Sequence, residues 1–200
     1  MGSSMFVMVS RRDRRRPAVE SLIRQLYWTR YRAVPSFASI IVAELDQTGA
    51  VECAAGIRFG DEPFFSECYL DCPIEELLRA RLGQAVWRDQ MVEVCHLASN
   101  KPGRSLSFVK KIIDLLRSMD SEWAIFTAIK PLRNLLQRNQ LAMLELAVAE
   151  KRRVTDPDNW GSYFEHDPRI MAVCHGTTFS WRHFAIFSSV TPPLADARVF

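Results

Sequence analysis

The 200-residue sequence lacks several features that would place it in a specialised class of protein. It has no run of 18 or more apolar residues, so it offers no transmembrane helix. Its five cysteines form no Cys-x-x-Cys pair, and the four histidines share no ligand spacing with them, so we expect no metal site. Because it also lacks internal repeats and low-complexity linkers, residues 1–200 are predicted to form a single domain, with a basic strand and arm at 1–16 and an apolar tail at 176–200.

The composition is that of an ordinary globular protein, with 48% hydrophobic and 24% charged residues. Unpaired cysteines are typical of a reducing compartment, and the apolar run at residues 5–9 is short for a secretory signal, so we expect a cytoplasmic protein. The net charge is only +3, but residues 11–16 contain five arginines and one aspartate. This arm either lies in solvent or meets phosphate, an acidic carrier protein or a membrane surface. No aromatic residues interleave with the arginines, so nucleic acid is not an expected partner.

The spacing of apolar residues predicts alternating strands and helices. Strands are predicted at residues 5–10, 37–45, 51–58, 64–70, 91–98, 123–129 and 169–175. Helices are predicted at residues 17–32, 73–82 and 104–119, with a short one from Pro131, and residues 142–154 stay open between helix and strand. The strand at 91–98 is apolar on both faces apart from Glu93 and His96, which is typical of a central strand. This order predicts a mixed α/β sheet with helices on both faces.

Five sequence blocks match, in order, segments of one bacterial family. Residues 65–75, FSECYLDCPIE, resemble a signature of the thermostable hemolysin family, which is assigned to the GNAT superfamily of acyl-CoA N-acyltransferases. The other similar blocks lie at residues 91–98, 123–135, 146–150 and 160–164. Residues 56–58 and 91–93 are also similar to strands of acyl-homoserine lactone synthases, the autoinducer synthases, in which the second strand bears a catalytic glutamate. Two departures stand out: Cys95-His96 replaces the usual Gly-Asn, and Leu136 replaces a Phe.

The resemblance implies a GNAT-like fold, which is a mixed, mostly antiparallel central sheet with a splayed pair of strands and helices on both faces. It also implies an acyltransferase that moves a fatty acyl group from an acyl-carrier-protein or acyl-CoA thioester to the amine of a small acceptor, such as an amino acid. The phosphate-binding loop retains only one glycine of the superfamily pattern, which favours acyl carrier protein as donor and partner. Membrane contact is expected to be peripheral at most.

Two other functions stay open. The family name records a lytic phenotype, and the tail contains apolar and aromatic residues between 178 and 190, so the protein could damage membranes directly. The Cys95-His96 departure and the poor phosphate loop also fit a GNAT scaffold that has lost catalysis and binds a ligand or partner.

Glu93 is the candidate general base, because a carboxylate on an apolar strand is costly to bury and becomes a stronger base there. The alternative is an ion pair with Arg58, which could also orient Glu93 or bind a substrate carboxylate. Cys95 is a candidate acyl-accepting nucleophile, but His96 would point to the opposite face unless the strand bulges. Tyr163 is a candidate acid for the leaving thiolate, with a packed core tyrosine as the alternative.

Two further groups of residues are candidates for substrate binding. If the strand bulges, backbone amides around residues 95–97 would serve as oxyanion donors. A weak thioester or phosphopantetheine site is predicted where basic residues precede a helix, at Leu97, Lys101, Gly103, Arg104 and Ser105. An acyl or acceptor pocket is predicted at Phe65, Tyr69, Trp123, Phe126, Arg133 and Asn134. Some of these aromatic residues are expected to belong to the core instead.

Overall fold

The computed structural model describes residues 4–174, so the predicted apolar tail at 176–200 lies outside the described part of the chain. The described residues form β1 (Met5–Val9), α1 (Arg16–Tyr31), β2 (Ile40–Leu45), β3 (Val51–Phe59), α2 (Ile74–Leu82), β4 (Met91–Ser99), α3 (Arg104–Ser118), β5 (Trp123–Ala128), α4 (Lys130–Arg138), β6 (Leu144–Val148) and β7 (Arg169–Cys174). Within residues 4–174, no helix is both long and apolar enough to cross a bilayer.

Most of the predicted elements are confirmed, with boundaries shifted by a few residues. The predicted strand at 64–70 is wrong, because Phe65–Tyr69 is a 3₁₀ helix. The backbone amides of Phe65 and Ser66 bond to a side-chain carboxylate rather than to a neighbouring strand, which explains the difference. The open segment at 142–154 contains β6 followed by a short 3₁₀ turn.

The seven strands form one sheet in the order β1-β2-β3-β4-β5-β7-β6. Every neighbouring pair is antiparallel except β4 and β5, which are parallel. The predicted fold class, a mixed and mostly antiparallel sheet, is therefore confirmed.

Helices cover both faces of the sheet because successive strand residues point to opposite sides. On one face, Val19 and Ile23 of α1 join a buried cluster with Ile41 and Ala54. On the other face, α3 packs its apolar stripe, including Phe108 and Ile112, against strand residues such as Ile57. The central strands β3 and β4 are therefore buried on both sides.

The parallel pair β4 and β5 is joined only at its beginning. Met91–Glu93 pairs with Trp123–Ile125, and no register is kept beyond that point in the described sheet. In the same region β4 carries one extra residue relative to β3, because Gly56 opposes Cys95 whereas Ala54 opposes Ala98. His96 in this bulge has a φ of 55°, in the left-handed region. The predicted splayed pair of strands is thus confirmed, and the bulge lies beside the opening.

The basic arm at residues 11–16 is only partly in solvent. Arg16 begins α1 and is buried, and its guanidinium donates hydrogen bonds to the carbonyls of Ala38 at 2.6 Å and Ser39 at 2.9 Å. The arm therefore contributes one structural arginine that ties α1 to the chain entering β2.

Candidate active site

Glu93 is buried on β4 and surrounded by hydrogen-bond donors. Its Oε2 accepts hydrogen bonds from Arg58 Nη1 at 2.7 Å and from the Phe65 amide at 2.8 Å. Its Oε1 accepts hydrogen bonds from the Ser66 amide at 2.7 Å and from the Ser66 hydroxyl. A carboxylate offers about four lone-pair positions, so all of them are occupied. The ion pair between Glu93 and Arg58 that the sequence left as an alternative is therefore present.

Sheet register brings Arg58 and Glu93 together, because the two residues are direct partners across β3 and β4. Burial opposes the charge of Arg58, but the carboxylate of Glu93, by its charge and its hydrogen bond, helps to outweigh burial and raise the pKa of the guanidinium. The pair is therefore a charged, buried anchor between two central strands.

The 3₁₀ helix Phe65–Tyr69, which supplies the amide donors, is itself held by Arg88. The Arg88 guanidinium contacts both carboxylate oxygens of Glu67, at 2.5 and 2.9 Å, and donates to the Gly60 carbonyl at 2.9 Å. A Cβ atom at Gly60 would lie 2.1 Å from the Arg88 carbonyl oxygen, so only glycine fits there. Arg88 carries no signal in the sequence, because its partners lie 21 and 28 positions away and no local spacing links them.

The bulge of β4 brings Cys95 and His96 to the same side of the sheet. A Cβ atom at Gly56 would lie 2.7 Å from Cys95 Sγ and 3.2 Å from His96 Nδ1, so both side chains converge on this glycine. Burial raises the pKa of the Cys95 thiol, which leaves little thiolate at neutral pH and argues against the predicted nucleophile. Burial, followed by the charge of Arg58, lowers the pKa of His96 to about 3, so its imidazole is neutral.

A cavity of about 270 Å³ runs through the opening between β4 and β5. It is bordered by α1 on one face of the sheet and by α3 and α4 on the other. Its walls on the α3 and α4 side are apolar, with contributions from Val109, Ile113, Phe126, Leu132 and Leu135. The cavity is therefore an apolar channel on the α3 and α4 side, and its end on the α1 side is polar.

A second cavity of about 30 Å³ adjoins the polar end of the first. Its lining includes Glu93 and Cys95. The four side chains that border both cavities are Tyr27, His96, Thr127 and Tyr163. The junction of the two cavities therefore lies beside both the bulge and the buried carboxylate.

The residues predicted for an acyl or acceptor pocket separate in the structure. Phe126 lines the large cavity, whereas Phe65 and Tyr69 line the small one. Trp123 is a buried core residue that lines neither cavity. Arg133 bonds the Ala128 carbonyl and Asp167, which ties α4 to the segment before β7 and gives it a structural role. Asn134 is exposed on α4, away from both linings.

The predicted phosphopantetheine residues also have different surroundings. Leu97 and Ser105 line the large cavity, and Gly103 precedes α3 with a φ of 77°. Lys101 is paired with buried Glu52, and Arg104 lies 3.0 Å from the same carboxylate. The positive charges predicted to attract phosphate are thus largely compensated by the protein itself.

Tyr163 lies in an aromatic cluster with Tyr27, Tyr31 and Trp160, at centroid distances of 6.3, 5.3 and 5.2 Å. Burial raises the pKa of its hydroxyl, so Tyr163 is protonated at neutral pH and can act as a hydrogen-bond donor. It is packed, as the alternative interpretation expected, and it also borders the junction of the cavities.

Three residues beside the site carry no signal in the sequence: Tyr27, Ser66 and Thr127. Tyr27 falls on the apolar stripe of α1 and is indistinguishable there from a core residue. Ser66 and Thr127 are small hydroxyl residues in apolar segments. Ser66 is distinguished only by its contact with Glu93, which the structure reveals. Among residues 4–174, no group of three or more His, Cys, Asp and Glu side chains is arranged to hold a metal ion.

Comparison with solved structures places the fold among acyl synthases. The AHL (acyl-homoserine lactone) synthase LasI has a TM-score of 0.60 at 11% identity, covering 87% of this chain and 91% of that one. FeeM, an N-acyl amino acid synthase from uncultured soil microbes, has a TM-score of 0.60 at 10% identity, covering 92% and 98%. MesI, a CoA-dependent acyl-homoserine lactone synthase, has a TM-score of 0.52 at 14% identity, covering 96% and 100%. At these identities the likeness establishes the fold alone.

No curated protein gives a significant sequence match. The sequence profile of the family described as Thermostable hemolysin matches residues 9–179, which is most of the chain. The protein therefore belongs to the Thermostable hemolysin family.

Proposed function

We propose that the protein is an acyltransferase that moves a medium-chain fatty acyl group from a carrier thioester to the amine of a small acceptor. The observation that carries this proposal is the apolar cavity of about 270 Å³ that opens between β4 and β5 and ends beside the bulge and Glu93. An apolar channel that ends in polar side chains suits a fatty acyl chain with a reactive thioester at its head. The fold shared with LasI and FeeM supports the same reaction class.

The size of the cavity favours a chain of intermediate length. A cavity of about 150 Å³ accommodates one benzene molecule, so the present volume corresponds to roughly ten carbon atoms. Chains much longer than this would have to leave the cavity or displace the side chains of α3 and α4.

In the proposed reaction the amine nitrogen attacks the thioester carbonyl carbon, a C–N bond forms and the C–S bond breaks. One amine proton ends on the departing thiol, so the overall reaction is balanced without a cofactor. Backbone N–H groups in the bulge at residues 95–97 are the proposed donors to the developing oxyanion. Protonated Tyr163 at the cavity junction is the proposed donor to the leaving sulfur.

Glu93 is proposed to hold the proton that the attacking amine loses. Because its lone pairs are occupied, the proton has to arrive through one of its donors, and the Ser66 hydroxyl is the neutral side chain among them. Ser66 Oγ lies 3.5 Å from Thr127 Oγ1, and Thr127 borders both cavities. A relay from the amine through Thr127 and Ser66 would protonate Glu93 while each hydroxyl regains a proton. Return of that proton from Glu93 through Ser66 and Thr127 to Tyr163, at the same cavity junction, would restore both groups after the sulfur has left.

The donor is proposed to be an acyl carrier protein. Coenzyme A would bring a pyrophosphate to the start of α3, where Lys101 and Arg104 are already paired with Glu52. A carrier protein delivers only the pantetheine arm to the cavity and depends less on that local charge. The test of this choice is the ratio of kcat/KM for matched carrier-protein and coenzyme A thioesters, which we expect to favour the carrier protein.

The reaction is tested with purified full-length protein, decanoyl thioesters and a mixture of amino acids. Thiol release and N-decanoyl amides detected by mass spectrometry would support the proposal. The variant Val109→Trp, which fills the cavity from α3, should reduce turnover of decanoyl donors at least tenfold. Lys110→Trp adds the same side chain on the exposed side of α3 and should leave turnover unchanged. Absence of thiol release from every donor would contradict the proposal.

A further inference from the structure

Arg30, in the last turn of α1, is the only charged side chain among the described residues that line the large cavity. It is exposed, so a molecule that enters from solvent can reach it. It forms no ion pair with a carboxylate of residues 4–174. Lys101 and Arg104 differ in this respect, because Glu52 already compensates both of them. Arg30 is therefore an uncompensated positive charge at the wall of an otherwise uncharged cavity.

Two contacts hold the guanidinium at the polar end of the cavity. Its Nη2 donates a hydrogen bond to the Ser99 carbonyl at 3.2 Å. Burial raises the pKa of Tyr31, and the positive charge of Arg30 and its hydrogen bond to the hydroxyl oppose that rise. The ring of Tyr31 contacts Tyr163 edge to face at 5.3 Å, and Tyr163 borders the junction of the two cavities. The charge is thus linked to the junction through two tyrosine rings.

The surroundings of Arg30 leave its charge available to a ligand. An arginine in the last turn of a helix often needs no ligand, because it stabilises the last carbonyls of its own helix. Arg30 instead reaches across to β4, and both of its protein partners are neutral. A guanidinium has five N–H donors, so donors remain after these two bonds. The group that best satisfies them is an oxyanion such as a carboxylate or a phosphate, which accepts two parallel hydrogen bonds.

The spacing along β4 distinguishes between these two anions. Ser99 lies two residues beyond Leu97, where the proposed oxyanion donors end, which is about 7 Å along a strand. In an α-amino acid, three bonds separate the carbon under attack from the carboxylate carbon, or about 3.5 Å. One hydrogen bond of about 3 Å covers the remaining distance to the guanidinium. The phosphate of a pantetheine arm lies 13 bonds from the sulfur, roughly 15 Å when extended, which is about twice the available distance.

We propose that the guanidinium of Arg30 binds the α-carboxylate of the acceptor, so that the amine substrate is an α-amino acid and the product is an N-acyl amino acid. The inference rests on the proposed acyl transfer and names the class of its acceptor. Arg30 takes no proton in this role and holds the amine beside the bulge by binding the other end of the molecule.

The kinetic test compares glycine with glycinamide, which has the same amine but no carboxylate. The donor is decanoyl pantetheine, which carries no phosphate. We expect Arg30→Gln to lower kcat/KM for glycine at least tenfold, mainly through KM, because a hydrogen-bonded ion pair is lost. For glycinamide the change should stay below about threefold. Arg24→Gln, which removes an exposed arginine of the same helix that lines neither cavity, should leave both values unchanged.

Equal losses with glycine and glycinamide would overturn the assignment. A loss that appears with carrier-protein thioesters but not with decanoyl pantetheine would also overturn it, because Arg30 would then bind the phosphate of the donor.

A binding measurement separates this inference from the proposed function. Calorimetric titration should show that wild-type protein binds N-decanoylglycine at least tenfold more tightly than N-decanoylglycinamide, and that Arg30→Gln binds the two equally. If the protein turns over no thioester but shows this preference, the acyltransferase proposal fails and the carboxylate site stands. Equal binding by wild type, or a preference that persists in Arg30→Gln, would overturn the carboxylate site whatever the turnover.

Discussion

At the scale of single residues, the buried pair of Glu93 and Arg58 decides how the site is built. The sequence identified both residues and left open whether Glu93 is a base or an ion-pair partner. In the structure, the backbone amides of Phe65 and Ser66 also donate hydrogen bonds to Glu93. No sequence pattern signals these contacts, because both residues belong to a segment predicted as a strand. The pair therefore anchors a loop as well as two strands.

This anchoring predicts the stability of Glu93→Gln. The substitution leaves the Arg58 charge buried without its carboxylate and turns one acceptor into a donor that faces other donors. We expect the free energy of unfolding to fall by about 3 kcal/mol, measured by urea denaturation. Glu150→Gln, which breaks the exposed pair with Arg152, is the matched control and should have little effect. A similar stability for both variants would mean that Glu93 is not held as described.

The lowered pKa of His96, about 3 in the folded protein, predicts a pH dependence of stability. In the unfolded chain histidine titrates near 6.5, so below that pH the unfolded state binds a proton at this residue and the folded state does not. The free energy of unfolding should therefore fall as pH decreases from about 6.5 toward 3, by up to about 1.4 kcal/mol per pH unit from this residue. Urea denaturation at pH 7 and pH 5 should show a smaller loss for His96→Asn than for wild type.

His166→Asn is the control for that measurement, because His166 is exposed and lies on another segment. It should retain the wild-type dependence on pH. Parallel pH profiles for wild type and His96→Asn would show that burial of this imidazole does not contribute.

At the scale of elements, the bulge of β4 and its opposing glycine on β3 shape the site. The alternation along residues 91–98 predicted the strand and its burial correctly. It could not locate the bulge, because the extra residue is defined only by pairing with β3, which lies about 40 positions earlier in the chain. For the same reason the sequence left the face of His96 dependent on a bulge, and the bulge that the structure contains brings His96 to the side of Cys95.

Gly56→Ala tests this element directly. The added Cβ would lie 2.7 Å from Cys95 Sγ, so the sulfur or the strand has to move. We expect a loss of about 1–3 kcal/mol in unfolding free energy, together with reduced acyl transfer. The double variant Gly56→Ala/Cys95→Ala removes the sulfur and should recover part of the stability in a double-mutant cycle. Additive effects of the two substitutions would contradict the contact.

The helices and most of the strands were predictable because their apolar spacing is regular and their ends carry turn residues. The loop after β3 and the pairing of Lys101 and Arg104 with buried carboxylates were not, since they depend on contacts between distant segments. Trp123 shows the same limit, because strand spacing cannot distinguish a residue of the core from one that lines a cavity.

At the scale of the whole molecule, the opening between β4 and β5 places an apolar cavity within the central sheet, where we propose that the acyl chain binds. Under the proposed acyl transfer, the name of the family can be understood through the product, because an N-acyl amide with a medium-length chain is a surface-active lipid. Lysis would follow from synthesis and would not require insertion of the protein itself.

This account predicts how the purified protein behaves with vesicles. Phosphatidylcholine vesicles loaded with a fluorescent dye should not leak when only the protein is added. Leakage is expected after incubation of the protein with a decanoyl thioester and an amine, and it should also occur with the protein-free lipid extract of that reaction. Leakage caused by the protein alone would favour the direct action on membranes that the sequence left open.

The central claim is that the cavity between β4 and β5 holds the transferred acyl chain, and the most direct test is the dependence of turnover on chain length. Thiol release should be measured with carrier-protein thioesters of four to sixteen carbons, for wild type and for Val109→Trp. We predict an optimum near ten carbons for wild type and a shift to shorter chains in the variant. The account would be contradicted by turnover that does not depend on acyl chain length, or by a chain-length dependence that is the same in Val109→Trp as in wild type.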